Sequence, residues 1–149
     1  MEKYRHKQPG WAILATLGVL LVFIFFGKRP PHCGCLDLAP VIVIILIILG
    51  LFSKMIVSID EEYLRIRFSY GVIRAKFRLA DIVSCKPVRN PWYYGFGIHY
   101  LGNGWIYNVS GLDAVEITMK SNKVHRIGTD EPEELNKAIS EAIGTVNEK

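Results

Sequence analysis

The sequence predicts a helical membrane hairpin followed by an all-β barrel of seven or eight antiparallel strands, capped by a C-terminal α-helix. Three observations carry this. Two apolar blocks, Trp11 to Phe26 and Leu38 to Ser53, hold no charge and no strand-like alternation, which is the pattern of helices in lipid. From Met55 onward, apolar and polar residues alternate in short runs separated by turn residues, which is the period of half-buried strands. Near the end, Leu135, Ala138, Ile139, Ala142 and Ile143 recur at helical spacing on one face.

The first block, bounded by Gly10 and Gly27, is about 18 residues or roughly 27 Å at helical rise, close to the width of a hydrocarbon core. Trp11 stands at its edge, where indole prefers an interface. In the second, Pro40 suits a first helical turn and Lys54 can snorkel to the interface. The expected order is a tail (1–10), a first span (11–27), an external loop (28–37), a second span (38–54), the β domain (55–144) and a short tail (145–149). Lys3, Arg5 and Lys7 precede the first span and Lys54, Arg65 and Arg67 follow the second, against Lys28 and Arg29 between them. Positive-inside counting then places an integral protein of the bacterial plasma membrane with both termini and the β domain cytoplasmic.

In the β domain the expected strands are Met55 to Asp60, Tyr63 to Ser69, Val72 to Leu79, Ile82 to Val88, Gly97 to Tyr100, Trp105 to Ser110, Ala114 to Lys120 and Val124 to Thr129. Tyr70-Gly71 and Ser121-Asn122 are turn signals. Asp130 as N-cap and Glu133 as its capping-box partner open the final helix, which must cover an apolar surface, most simply an open barrel end.

The stretches Trp92-Tyr-Tyr-Gly-Phe-Gly-Ile-His-Tyr, Gly104-Trp-Ile-Tyr-Asn-Val-Ser-Gly and Arg126-Ile-Gly-Thr-Asp-Glu-Pro-Glu-Glu-Leu resemble bacterial pleckstrin-homology-domain proteins with N-terminal membrane helices. The resemblance covers residues 55–143 and is strongest from Asn90 to Leu135. It implies a pleckstrin-homology-like barrel and a membrane address, and no particular chemistry. Lipid-binding members of the wider family carry a basic signature in their first hairpin. The basic residues here lie along a hairpin whose place in the strand order the sequence does not fix, so inositol-phosphate binding is not carried over.

Charge is uneven along the chain. Residues 1–52 carry five Lys/Arg and two acids, Arg65 to Arg89 holds seven basic residues against Asp81 alone, and Asp130 to the end has six acids against two lysines. Such a dipolar distribution excludes the uniformly basic nucleic-acid-binding type. Pairing Phe68 with Ile73 puts Leu64, Ile66 and Phe68 on a core face and sets Arg67 opposite Arg74 and Arg65 opposite Lys76. Like charges so placed repel. Either solvent or an acidic neighbour, Asp81 or the Glu-rich final helix, relieves them, or they face an anionic surface. Arg65, Arg67, Arg74, Lys76 and Arg78 are therefore the candidate bilayer-facing basic hairpin, with anionic lipid headgroups as ligand.

Among Trp92, Tyr93, Tyr94, Phe96 and Trp105, the last two are expected in the core. Trp92, Tyr93 and Tyr94 read equally as packing residues or as an aromatic patch for a partner. Gly95-Phe-Gly97 and Gly102-Asn-Gly104 lack the following helix of a phosphate loop and read as turns, bulges or close approaches. His32-Cys33-Gly34-Cys35 lacks the ligand number and spacing of a metal centre. Scattered histidines and unpaired carboxylates give no catalytic set, and Asn108-Val-Ser110 is an incidental glycosylation sequon in a strand. The expectation is a non-enzymatic membrane-proximal binding or scaffolding module without metal or cofactor. A protein partner or a second copy is an open alternative. An accessory factor of a larger membrane complex is the runner-up, and a membrane enzyme has little support.

Overall fold

A computed structural model describes residues 3–26 and 35–147. The chain runs β1 (Tyr4–Pro9), α1 (Trp11–Phe26), α2 (Cys35–Phe52), β2 (Lys54–Ile59), β3 (Tyr63–Phe68), β4 (Ile73–Arg78), β5 (Ile82–Arg89), β6 (Gly97–Tyr100), β7 (Trp105–Asn108), β8 (Asp113–Met119), β9 (Val124–Gly128) and α3 (Pro132–Asn147). Single 3-10 turns lie at Leu79–Asp81 and Trp92–Tyr94.

The architecture is mixed α/β and not a closed barrel. One sheet has the order β1-β2-β3-β4 and the other β5-β8-β9-β7-β6. The eight strands expected from alternation are present close to their expected bounds. What differs is how they join: β9 inserts between β8 and β7, antiparallel to the first and parallel to the second. The sheets pack over one core. Met55, Val57, Ile59, Leu64, Ile66, Phe68 and Phe77 come from the first, Val115, Ile117 and Ile127 from the second, and Leu135, Ile139 and Ala142 from α3. The helix thus covers the core with the face its spacing indicates. Its entry differs from expectation. Asp130 meets His6 at 2.7 Å, while the Thr129 hydroxyl accepts the Glu131 N–H at 3.1 Å.

The membrane hairpin is also corrected. Among the described residues, no helix is long and apolar enough to cross a membrane. With 16 residues, α1 spans about 24 Å at 1.5 Å per residue, short of a core of about 30 Å. The 18 residues of α2 include Asp37 and Pro40. The plasma-membrane placement and the cytoplasmic orientation of the β domain rested on these spans and fall with them. Sheet pairing draws the flanking residues away from the helices: Pro9 pairs with Lys54, and the Gly10 N–H donates to the Ser53 carbonyl at 2.9 Å. A Cβ on Gly10 would lie 2.4 Å from the Phe52 carbonyl oxygen, so glycine permits this junction. His32, Cys33 and Gly34, with most of the expected loop, lie outside the described residues.

The strand β1 is the element that the charge of the N-terminal segment concealed. Its inward residues are polar and only partly paired, the Tyr4 hydroxyl and Gln8 Oε1 being buried without a partner among the described residues. His6 contacts Asp130 and, at 3.1 Å, Glu131, and Gln8 donates to the Ser110 carbonyl at 3.0 Å. The Tyr4 hydroxyl is pushed up to about 12 by burial and then by Glu131, Glu134 and Asp130.

Candidate functional site

The β3–β4 hairpin has the expected register, with Leu64 opposite Phe77, Ile66 opposite Ala75 and Phe68 opposite Ile73. Gly71 at φ +79° makes the turn. Because successive side chains alternate, the other face sets Arg67 against Arg74 and Arg65 against Lys76. The sheet extends these pairs across all four strands. One row runs Lys7, Ile56, Arg67, Arg74 and the next runs Arg5, Ser58, Arg65, Lys76. At about 4.8 Å between strands and 6.7 Å between rows, six cations share a patch of roughly 14 by 7 Å. Arg5 and Lys7 were missing from the sequence-based site because their segment reads as a tail. Their alternation with Tyr4, His6 and Gln8 is the signal that could have found them.

The acids that pair with the hairpin stand in the β2–β3 turn rather than on α3, and Asp81 acts on Arg78 alone, through space. Arg65 meets Asp60 at 2.7 Å, and Arg78 lies 3.8 Å from Glu62 at the exposed margin. Burial pushes the Asp60 carboxyl up, but the N–H groups of Glu62 and Tyr63, then Arg65 and Lys76, hold it below its ordinary value. Lys76 Nζ stands 3.3 Å from the Tyr63 ring centre, and Arg74 Nε donates to the Gly71 carbonyl. Arg67 is exposed and makes no ion pair or hydrogen bond among the described residues. Arg65, Arg67, Arg74 and Lys76, with the backbone of Ile66 and Ala75 beneath, line an open cleft of about 250 Å³. Arg65 Nε is buried and has no partner among the described residues.

The aromatic residues divide differently from expectation. Trp105 and Phe96 are 42% and 37% exposed rather than core. Along β7 the inward position is Ile106, so Trp105 points outward and packs on Tyr100, with 5.3 Å between ring centres. Phe96 borders an apolar groove of about 390 Å³ with Ile13, Leu17, Ile48, Phe52 and Ile98, where the helix pair meets β6. Trp92 and Tyr93 project into solvent, whereas Tyr94 is half-buried and lies 5.7 Å from the Arg126 guanidinium.

That guanidinium belongs to a cross-strand row invisible in the linear sequence. Lys86, Glu116 and Arg126 align across β5, β8 and β9, with Glu116 3.0 Å from Lys86 and 2.8 Å from Arg126. Burial raises the Glu116 carboxyl, but these cations outweigh it and hold it low. Arg126 also donates to Asn90 Oδ1 at 3.1 Å. All of these contacts are internal, as expected of an ion-paired sheet.

The histidines are dispersed. His6 joins β1 to the start of α3, His99 meets the Phe96 carbonyl at 2.7 Å, and His125 Nδ1 accepts the Trp105 N–H at 3.2 Å. Burial, then Lys123, lowers His125. Among the described residues no group of three or more His, Cys, Asp or Glu is placed to hold a metal. Asn108 is buried and its amide donates to the Gly111 carbonyl at 3.0 Å, so its sequon is inaccessible in the folded chain. Gly104 and Gly128 serve close approach rather than phosphate binding: a Cβ would strike the Val124 carbonyl at the first and the Asn108 side chain at the second.

No protein-family model matches the chain, and no curated protein matches it. With two open sheets and no helix capable of spanning a membrane among the described residues, the resemblance to membrane-anchored pleckstrin-homology proteins is not upheld.

Proposed function

We propose that this chain is a non-enzymatic binding module that docks an anionic partner on the outer face of its four-stranded sheet. The observation that carries the reading is the alignment of Lys7, Arg67 and Arg74 in one row and Arg5, Arg65 and Lys76 in the next. Directly opposed like charges cost a few tenths of a kcal/mol per pair. A surface that concentrates six cations on one face, with Asp60 at its margin, directs a positive field outward.

The test separates a patch from mere net charge. One variant replaces Arg5, Lys7, Arg67 and Arg74 with glutamine, and a second makes the same change at Arg89, Lys120, Lys123 and Lys137. Both lose four charges. On immobilised polyglutamate, the first is expected to elute at much lower salt than the second. Equal elution would refute a localised docking face.

A second reading, a scaffold or accessory subunit of a larger protein assembly, rests on the helices. No residue of α1 is buried, and Val19, Val22, Phe23, Phe26, Val43 and Leu46 are exposed large apolar side chains. A helix that is apolar all round is ordinarily covered on all sides. Under this reading Phe23→Asp with Leu46→Asp abolishes comigration with a larger complex while the basic-face variant preserves it.

A further inference from the structure

The geometry points to the cleft between β3 and β4 as a phosphate site, and we propose that it binds a phosphomonoester or pyrophosphate group through Arg65, Arg67, Arg74 and Lys76. The inference rests on the anion-binding reading above and names the group that the face takes. Three of the four cations are arginines, whose planar forks match phosphate oxygens in pairs where an ammonium supplies only a point charge. Their commitments leave room for such a ligand. Arg67 is uncommitted among the described residues, Arg74 spends only Nε, on the Gly71 carbonyl, and Arg65 spends one terminal nitrogen on Asp60. Asp60 does not fill the cleft: its Oδ1 accepts the Glu62 and Tyr63 N–H groups at 3.0 and 2.7 Å and its Oδ2 meets Arg65 at 2.7 Å. The volume of about 250 Å³ equals about eight waters at ~30 Å³ each, enough for a phosphate and one substituent. Four cations facing a dianion also suit phosphate better than a single carboxylate.

The source of that group is either a soluble phosphorylated compound or the headgroup of a phosphatidic-acid-type lipid. The full chain is titrated calorimetrically with inorganic pyrophosphate, and separately with vesicles containing phosphatidic acid or, at equal charge, phosphatidylglycerol, a phosphodiester. Pyrophosphate is expected to bind, with Arg67→Gln plus Arg74→Gln weakening it at least tenfold and Arg89→Gln leaving it unchanged. The double variant Arg67→Lys plus Arg74→Lys preserves the charge and is expected to weaken pyrophosphate at least threefold while elution from polyglutamate stays as in the wild type. Stronger binding to phosphatidic acid than to phosphatidylglycerol vesicles, lost in the glutamine variant, assigns the lipid source. Pyrophosphate binding with no such vesicle preference assigns the soluble one. If neither probe binds more tightly than it does to the glutamine variant, or if the lysine variant matches the wild type, the phosphate site is wrong. Retention on polyglutamate in either case leaves the broader docking face standing, so the two failures are distinguishable.

Discussion

Replacing Gly104 with alanine tests the join between β7 and β9, the feature that separates this topology from an antiparallel meander. A Cβ there would lie 1.6 Å from the Val124 carbonyl oxygen and 2.5 Å from its carbon. The obstacle is backbone, so no rotamer relieves it. Restoring a contact of about 3.5 Å requires the segments to part by about 2 Å. The Val124 N–H donates to the Asn103 carbonyl at 3.0 Å and the Trp105 N–H reaches His125 at 3.2 Å, and a shift of that size breaks at least one of these bonds. A buried polar group left unpaired costs about 1–3 kcal/mol, and overpacking adds about 1–3 kcal/mol. The expected total of about 2–6 kcal/mol is a large part of the roughly 5–15 kcal/mol that holds a domain folded. At a urea slope of about 2 kcal/mol per molar, the midpoint falls by about 1–3 M. Gly102 is the control. It has φ +82° with open space around its Cβ direction, so alanine there costs only the left-handed backbone, about 1–2 kcal/mol. Urea unfolding of the full chain, followed by tryptophan fluorescence, compares the two variants. A Gly104→Ala midpoint no lower than that of Gly102→Ala would refute the close approach and with it the β7–β9 pairing.

Other expectations follow from particular contacts. Ile139 is fully buried against the sheets, so Ile139→Ala should cost about 2–5 kcal/mol in urea unfolding. Ile139→Asp should cost more, and wild-type stability of either would make α3 a free tail. Because folded His125 titrates below its ordinary value and Glu116 below its own, the unfolded chain binds more protons than the folded one on acidification. Their contribution to stability is therefore fully present above about pH 6.5 and falls below it, with a further loss below about pH 4.5. His125→Asn should flatten the first decline and Glu116→Gln the second, and a midpoint rising as pH drops from 7.5 to 5.5 would contradict the sign. Finally, Arg67→Gln should raise the midpoint slightly at low ionic strength, by a few tenths of a kcal/mol, and the gain should vanish in high salt. An equal midpoint at both salts would show that Arg67 and Arg74 do not repel.

The sequence by itself determined what depends on neighbours a few residues apart. Alternation located β2 to β9, the Tyr70-Gly71 turn set the register of Arg65, Arg67, Arg74 and Lys76, and helical spacing chose Leu135 and Ile139 as the buried face of α3. Tertiary structure decided what depends on partners far along the chain. Tyr4 to Pro9 becomes a strand only because the edge of β2, about fifty residues later, offers hydrogen bonds and Asp130 and Glu131 meet His6. That pairing brings Arg5 and Lys7 onto the basic face and takes Lys54, expected at the end of the second span, into β2. Strand order is equally nonlocal: nothing in Val124 to Gly128 states that it will lie between β8 and β7, since alternation specifies which face a side chain occupies and not which strand lies beside it. The outward turn of Trp105 has the same cause. Its apolarity suits a core, but backbone alternation gives the inward position to Ile106, and a strand cannot bury two successive residues on one face.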